Sequence, residues 1–126
     1  IWYSNVLHLY SPKENQAIFR RARTALNPGG RLIIQDAFLH DHEGLYPSES
    51  SLFAVSMLLF TEQGNTYTAS ETAKWLKQAG FVGIKPVPIR KGTEDWEGGI
   101  WEASVPGPRP RMIATQKGSS KNRTAR

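Results

Sequence analysis

The stretch SNVLHLYSPKENQAIFRRARTALNPGGRLIIQDAFL, Ser4 to Leu39, holds the end of one apolar run, a helix with a clear start, a Gly-Gly turn and a second apolar run. Ile1 to Val6 is short and apolar, the pattern of a strand buried on both faces. Ser11-Pro12-Lys13-Glu14 then gives an N-cap serine, proline at the first helical position and glutamate three residues after the cap, a reciprocal capping box. Ala17, Ile18, Ala22, Ala25 and Leu26 recur at helical spacing while Arg20, Arg21 and Arg23 fall mostly elsewhere. That predicts an apolar stripe laid on a sheet, with the arginines in solvent. Asn27-Pro28-Gly29-Gly30 stops the helix, and Arg31 to Gln35 supplies a second buried strand through Leu32, Ile33 and Ile34. Strand, helix and strand together predict a parallel βαβ unit. His8 and Asp36 then fall at the mouths of adjacent strands, on the sheet edge outside which ligands sit in open α/β folds. Neighbouring strands lie about 4.8 Å apart, so the two side chains are within reach of each other.

Downstream, a polar loop from Asp41 to Ser48 leads into Glu49 to Thr61, whose apolar residues surround nearly the whole helix. Such a helix must be covered on more than one side, by core on one and by a ligand pocket or a partner segment on another. Thr68-Ala69-Ser70-Glu71 is a second capping box, opening a helix with Trp75, Leu76 and Ala79 that ends at Gly80. Phe81 to Ile89 reads as a strand in which Pro86 and Pro88 each remove a ladder donor, which predicts an edge position or a short pairing. Ile100 to Val105 is a final strand beyond the turn-rich KGTEDWEGG, placed to pair with its predecessor as a long hairpin.

The chain has 126 residues, enough for one domain with a single core. It contains no cysteine, which removes disulfides, thiolate catalysis and Cys-containing zinc sites, and fits a reducing, cytoplasmic setting. The longest apolar stretch, Leu52 to Phe60, falls far short of the roughly 20 residues of a membrane-spanning helix, so no membrane partner is expected. The net charge of +5 is uneven: Ile1 to Val105 has ten Lys/Arg against eleven Asp/Glu, and Pro106 to Arg126 has six Lys/Arg and no acid. A near-neutral folded part at 1–105 and an aromatic-free tail argue against nucleic acid as a partner, and residues 106–126 are expected to form a disordered basic tail. His40 and His42, beside Asp41 and Glu43, are too close in one loop to converge on an ion, so no metal site is expected.

LHLYSPKEN after a strand, LNPGGRLIIQDAFL, and YTASETAKWLKQAGF before the closing strands, in this order and spacing, resemble the carboxyl-terminal half of class I S-adenosylmethionine-dependent methyltransferases. The likeness is to the small-molecule O-methyltransferases related to the plant caffeate and animal hydroxyindole enzymes, and it covers Ile1 to Val105. It implies an α/β fold: a partial Rossmann-like sheet holding strands four to seven of the family order, with helices on its faces. The cofactor it implies is S-adenosyl-L-methionine, and the substrate a small, hydroxylated, aromatic molecule. His8 matches the family's catalytic histidine, a general base for the substrate hydroxyl, a role suited to the side chain that titrates nearest neutrality. Asp36 matches the carboxylate that orients it. Ser4 and Tyr10 match positions beside the cofactor, Met57 and Thr61 positions lining the substrate pocket. Leu9 and Thr66 depart from the pattern, standing where the plant enzymes carry acidic residues. The resemblance places the Gly-rich cofactor loop, the first three strands and a dimerisation region upstream of Ile1. The chain is therefore expected to be part of a homodimeric enzyme and, by itself, to be inactive. Two other readings remain open: a non-catalytic fragment or pseudoenzyme binding a small molecule or partner, and a class I methyltransferase acting on carbon or nitrogen.

Overall fold

A computed structural model describes residues 1–40, 47–88 and 98–108. The expected loop at 41–48 lies mostly outside the described residues, as do most of KGTEDWEGG and the basic tail from residue 109 on.

The βαβ unit forms as the sequence predicts. Strand β1 (Trp2–Ser4) and strand β2 (Arg31–Leu39) are parallel, with Trp2 opposite Ile33 and Ser4 opposite Gln35. Between them runs helix α1 (Pro12–Ala25), opened by the Ser11–Glu14 capping box with both of its hydrogen bonds present. The helix stops at Leu26, and Gly29 adopts a φ of 79°, a left-handed conformation that costs glycine little. The buried line of α1 is displaced from the expected one: Asn15 and Phe19 are its fully buried residues, and Ile18 lies only partly covered. Asn15, Phe19, Ala22 and Leu26 share a helical face just as well, but a polar first member hides that register in the sequence.

Strand β2 is longer than expected because it is paired along its whole length. Strand β5 (Gly98–Ser104) runs antiparallel to it from Arg31 opposite Ser104 to Ala37 opposite Gly98. The two-residue strand β3 (Tyr67–Thr68), which the sequence did not suggest, pairs parallel with Phe38 and Leu39. Strand β4 (Val82–Pro86) pairs antiparallel with β5 at the sheet edge, as its prolines require, giving the order β1-β2-β5-β4.

Helix α2 (Ser48–Phe60) and helix α3 (Ala69–Gln78) fall within a residue or two of their expected bounds. The Thr68–Glu71 capping box opens α3. At its end Gly80, with φ 93°, donates to the Lys77 carbonyl and Phe81 to the Leu76 carbonyl, a Schellman motif whose flanking Leu76 and Phe81 are both buried.

One core lies under one face of the sheet. Leu32, Ile34 and Phe38 of β2 alternate onto that face and meet Leu7, Phe19, Tyr67, Trp75, Leu76 and Ala103. The rings pack edge to face, Tyr3 on Phe19 at 5.9 Å and Tyr67 on Trp75 at 5.0 Å between centroids. The expectation that β1 is buried on both faces fails: Trp2, on the face opposite Tyr3, is 59% exposed. Among the described residues no helix is long and apolar enough to cross a membrane.

Candidate functional site

After Ser4 the chain turns sharply. Asn5 adopts a φ of 54°, its amide still donating to the Gln35 carbonyl, and residues Leu7–Leu9 make one 3-10 turn before Ser11 caps α1. Leu7 is buried in the core, which leaves His8 facing β2.

Asp36 shares the β2 face of Leu32, Ile34 and Phe38 but lies one residue beyond the last β1 pairing, so its carboxylate enters the space under the turn. It is 2% exposed. Its Oδ1 lies 2.8 Å from His8 Nδ1 and accepts from the Ala37 amide at 2.8 Å, while Oδ2 accepts from the His8 amide at 3.3 Å. A carboxylate only accepts hydrogen bonds. The shared proton is therefore assigned to Nδ1, and Nε2 carries the lone pair. The His8 side chain is 12% exposed, with the Phe53 ring of α2 edge-on at 4.8 Å between centroids.

The turn itself is gripped from several sides. Asn15, fully buried, donates from Nδ2 to the carbonyls of Leu7 at 2.9 Å and Tyr10 at 3.1 Å, and accepts on Oδ1 from the Tyr3 hydroxyl at 3.0 Å. The Tyr67 hydroxyl donates to the same Tyr10 carbonyl at 2.6 Å, and the Asn65 amide donates to the His8 carbonyl at 3.0 Å. Burial, reinforced by the nearby Glu71 and Glu14 charges, pushes the Tyr67 hydroxyl up to about 12. Burial also raises Tyr3 well above the ordinary tyrosine value, with Tyr10 and Asp36 adding to the effect. Both hydroxyls stay protonated donors near neutral pH.

The other sequence-derived candidates lie around this pair. The Ser4 hydroxyl donates to Gln35 Oε1 at 2.7 Å, at the carboxyl end of β1. Tyr10, just past the turn, is 38% exposed, with a ring surface open to a ligand. Met57 and Thr61 sit on the last turn of α2, where the Thr61 hydroxyl donates to the Met57 carbonyl at 2.6 Å and accepts from the Gly64 amide at 2.8 Å. The Thr61–Gly64 segment abuts His8: a Cβ at Gly64 would stand 2.5 Å from the His8 carbonyl oxygen. Thr66, where an acidic residue was expected, is buried with a hydroxyl that has no hydrogen-bond partner. Among the described residues no group of three or more His, Asp or Glu side chains is placed to hold a metal ion. His40 is exposed at the end of β2, and Asp41, His42 and Glu43 lie outside the described residues.

Asn15, Gly64, Phe53 and Tyr67 were not among the sequence-derived candidates. For Asn15 the signal was present: a polar residue four positions before Phe19, inside the apolar face of α1.

A profile of the O-methyltransferase domain family matches residues 1–82. The tetracenomycin polyketide synthesis 8-O-methyl transferase of Streptomyces glaucescens is 29% identical over 85 residues, which is 68% of this chain and 25% of that protein. The L-tyrosine C(3)-methyltransferase of Streptomyces lavendulae is 34% identical over 82 residues, 64% of this chain and 22% of that protein. Human N-acetylserotonin methyltransferase, solved in complex with S-adenosylmethionine, superposes with a TM-score of 0.73 at 20% identity, over 83% of this chain and 28% of that one. The chain thus spans about a quarter of the length of the curated relatives it matches.

Proposed function

Since the chain belongs to the O-methyltransferase domain family of class I methyltransferases, we propose that it forms part of an enzyme that methylates a hydroxyl of a small aromatic molecule, with His8 as general base and Asp36 orienting it. The observation that carries this reading is the 2.8 Å contact between His8 Nδ1 and the buried Asp36 carboxylate. It leaves Nε2 as the acceptor for a substrate proton, and the carboxylate stabilises the imidazolium that results.

S-adenosyl-L-methionine is the cofactor proposed, and the residues at the carboxyl ends of β1 and β2 fit one wall of its site. Tyr10 offers an exposed ring on which a flat heterocycle can stack, and Ser4 and Gln35 a polar pair beside it. When bound, the cofactor would supply an electrophilic methyl group carried on a sulfonium, with a neutral thioether as the leaving group. His8 takes the hydroxyl proton as the oxygen attacks. Met57, on the same helix as Phe53, and Thr61, which caps that helix, line the acceptor side. The complete protein is proposed to be a cytoplasmic homodimer.

A second reading follows from the tyrosine C(3)-methyltransferase likeness. Removing a phenolic proton makes a phenolate, nucleophilic at oxygen and at the ortho carbon, so the same base serves either outcome and the acceptor's pose selects the atom. Methyl transfer by the complete protein to a panel of hydroxylated aromatics, with the methylated atom located by NMR, tests both readings. O-methyl products are expected. C-methyl products would select the second reading, and no transfer to any phenol by a protein that binds the cofactor would overturn both.

A further inference from the structure

Beyond the His8–Asp36 pair, one buried polar group that touches the His8 turn and that the proposed chemistry leaves unused is the Asn15 carboxamide. A carboxamide inside an apolar helix face costs desolvation unless its atoms are partnered, and an apolar side chain at this position would pack α1 on the core without that cost. The carboxamide is instead spent on backbone. Both Nδ2 donors go to the carbonyls of Leu7 and Tyr10, which bracket His8, and Oδ1 holds the Tyr3 hydroxyl on β1. Tyr67, from β3, adds a second donor to the Tyr10 carbonyl.

These outside bonds matter because the turn closes weakly by itself. Leu9 donates to the Val6 carbonyl at 3.0 Å, but the Tyr10 amide reaches the Leu7 carbonyl only at 3.5 Å. A single 3-10 turn with one long closing bond does not fix the direction of the side chain in its middle. Asn15 joins both ends of the turn to one rigid helix, and Tyr67 joins its exit to the strand that pairs with β2.

We infer that Asn15, assisted by Tyr67, is a positioning residue for His8: the two hold the Leu7–Tyr10 backbone so that Nδ1 stays on Asp36 and Nε2 stays aimed at the acceptor. The inference rests on the general-base reading above. Its test therefore includes a readout that does not depend on turnover.

Asn15→Asp keeps the shape and the acceptor for Tyr3 but turns a negatively charged oxygen toward two carbonyls. Tyr67→Phe removes one hydroxyl and leaves the ring against Trp75. In the complete protein, Asn15→Asp is expected to lower kcat at least about tenfold, since small misplacements of a catalytic group are costly, with KM for cofactor and acceptor little changed. Nitrogen-15 NMR of the His8 imidazole is expected to show the Nδ1-protonated tautomer in the parent protein and a mixture in the variant. Tyr67→Phe is expected to give a smaller change in the same direction, and it decides alone if Asn15→Asp does not fold. An unaltered His8 tautomer in the folded variants overturns the inference, whether or not kcat falls, because a fall would then reflect general destabilisation. Should His8→Ala keep the parent rate, the base reading fails, and the tautomer measurement still decides whether Asn15 positions the ring.

Discussion

At the residue scale the decisive feature is an imidazole whose one nitrogen is committed to a buried carboxylate. Asp36→Asn keeps the volume but puts an amide donor or a weaker acceptor against Nδ1, which favours the tautomer with its proton on Nε2, the wrong nitrogen for a base. In the complete protein, Asp36→Asn and His8→Ala are each expected to lower kcat by about 10²–10⁴, the range for general acid–base catalysis. Rates within a few-fold of the parent would remove the base assignment. The orphaned Thr66 hydroxyl makes the opposite kind of prediction: Thr66→Val exchanges a buried, unpartnered hydroxyl for a methyl group and is expected to stabilise the fold by about 1 kcal/mol, read as a higher urea midpoint. The closeness of His8 and Asp36 was legible because each is a titratable residue at the carboxyl end of an apolar run. Gly64 was not, because its role is a close approach to the carbonyl of a residue 56 positions earlier, and nothing local marks that contact.

At the element scale the capping boxes, the glycine stops and the proline-bearing edge strand were read correctly, because each depends on a few neighbouring residues and on backbone chemistry that tertiary contacts do not override. Thr68 accepts from the Glu71 amide at 3.1 Å while Glu71 Oε2 accepts from the Thr68 amide at 3.0 Å, and Thr68 is also half of β3. Thr68→Ala is therefore expected to cost about 1–2 kcal/mol, more than the exposed Ser11→Ala at about 1 kcal/mol or less, both measured by urea denaturation. The antiparallel pairing of β5 with β4 was expected, but its pairing with β2 on the other side was not legible, since a short apolar run does not encode every strand it joins. Its sequence marker is the pair Gly98-Gly99 opposite Ala37 and Asp36: a Cβ at Gly99 would stand 2.9 Å from the Phe38 ring, so only glycine lets the strand lie there undisturbed. Tyr67 carries a prediction for pH. Its folded value of about 12 exceeds the ordinary 10, so the folded state holds the proton more tightly than the unfolded one. The stability this confers is complete below pH 10 and is lost as pH rises from 10 through 12. Tyr67→Phe is expected to reduce the alkaline fall in urea midpoint, and an identical fall in parent and variant would assign it to other groups.

At the scale of the whole molecule, the described residues build a sheet with a closed core on one face and, on the reading proposed above, one wall of a cofactor cleft. The core under α1 and α3 is closed, whereas Trp2 and Val82 are exposed on the sheet, and Leu58, Leu59 and Phe60 of α2 are each more than 70% exposed. The wall of the proposed cofactor site supplied here consists of Ser4, Gln35 and Tyr10. The sequence contains no Gly-x-Gly-x-Gly loop, the element that lets backbone amides close on a nucleotide-like ligand in sheets of this type. A stacking ring and one polar pair provide on the order of 1–3 kcal/mol, against an association cost of about 4 kcal/mol or more. Calorimetric titration of S-adenosylmethionine into the 126-residue chain is therefore expected to give no binding heat, and the same titration into the complete protein a saturable one. Saturable binding to the 126-residue chain would mean that the edge formed by β1 and β2 grips the cofactor by itself, and the division of the cleft argued from these residues would be wrong.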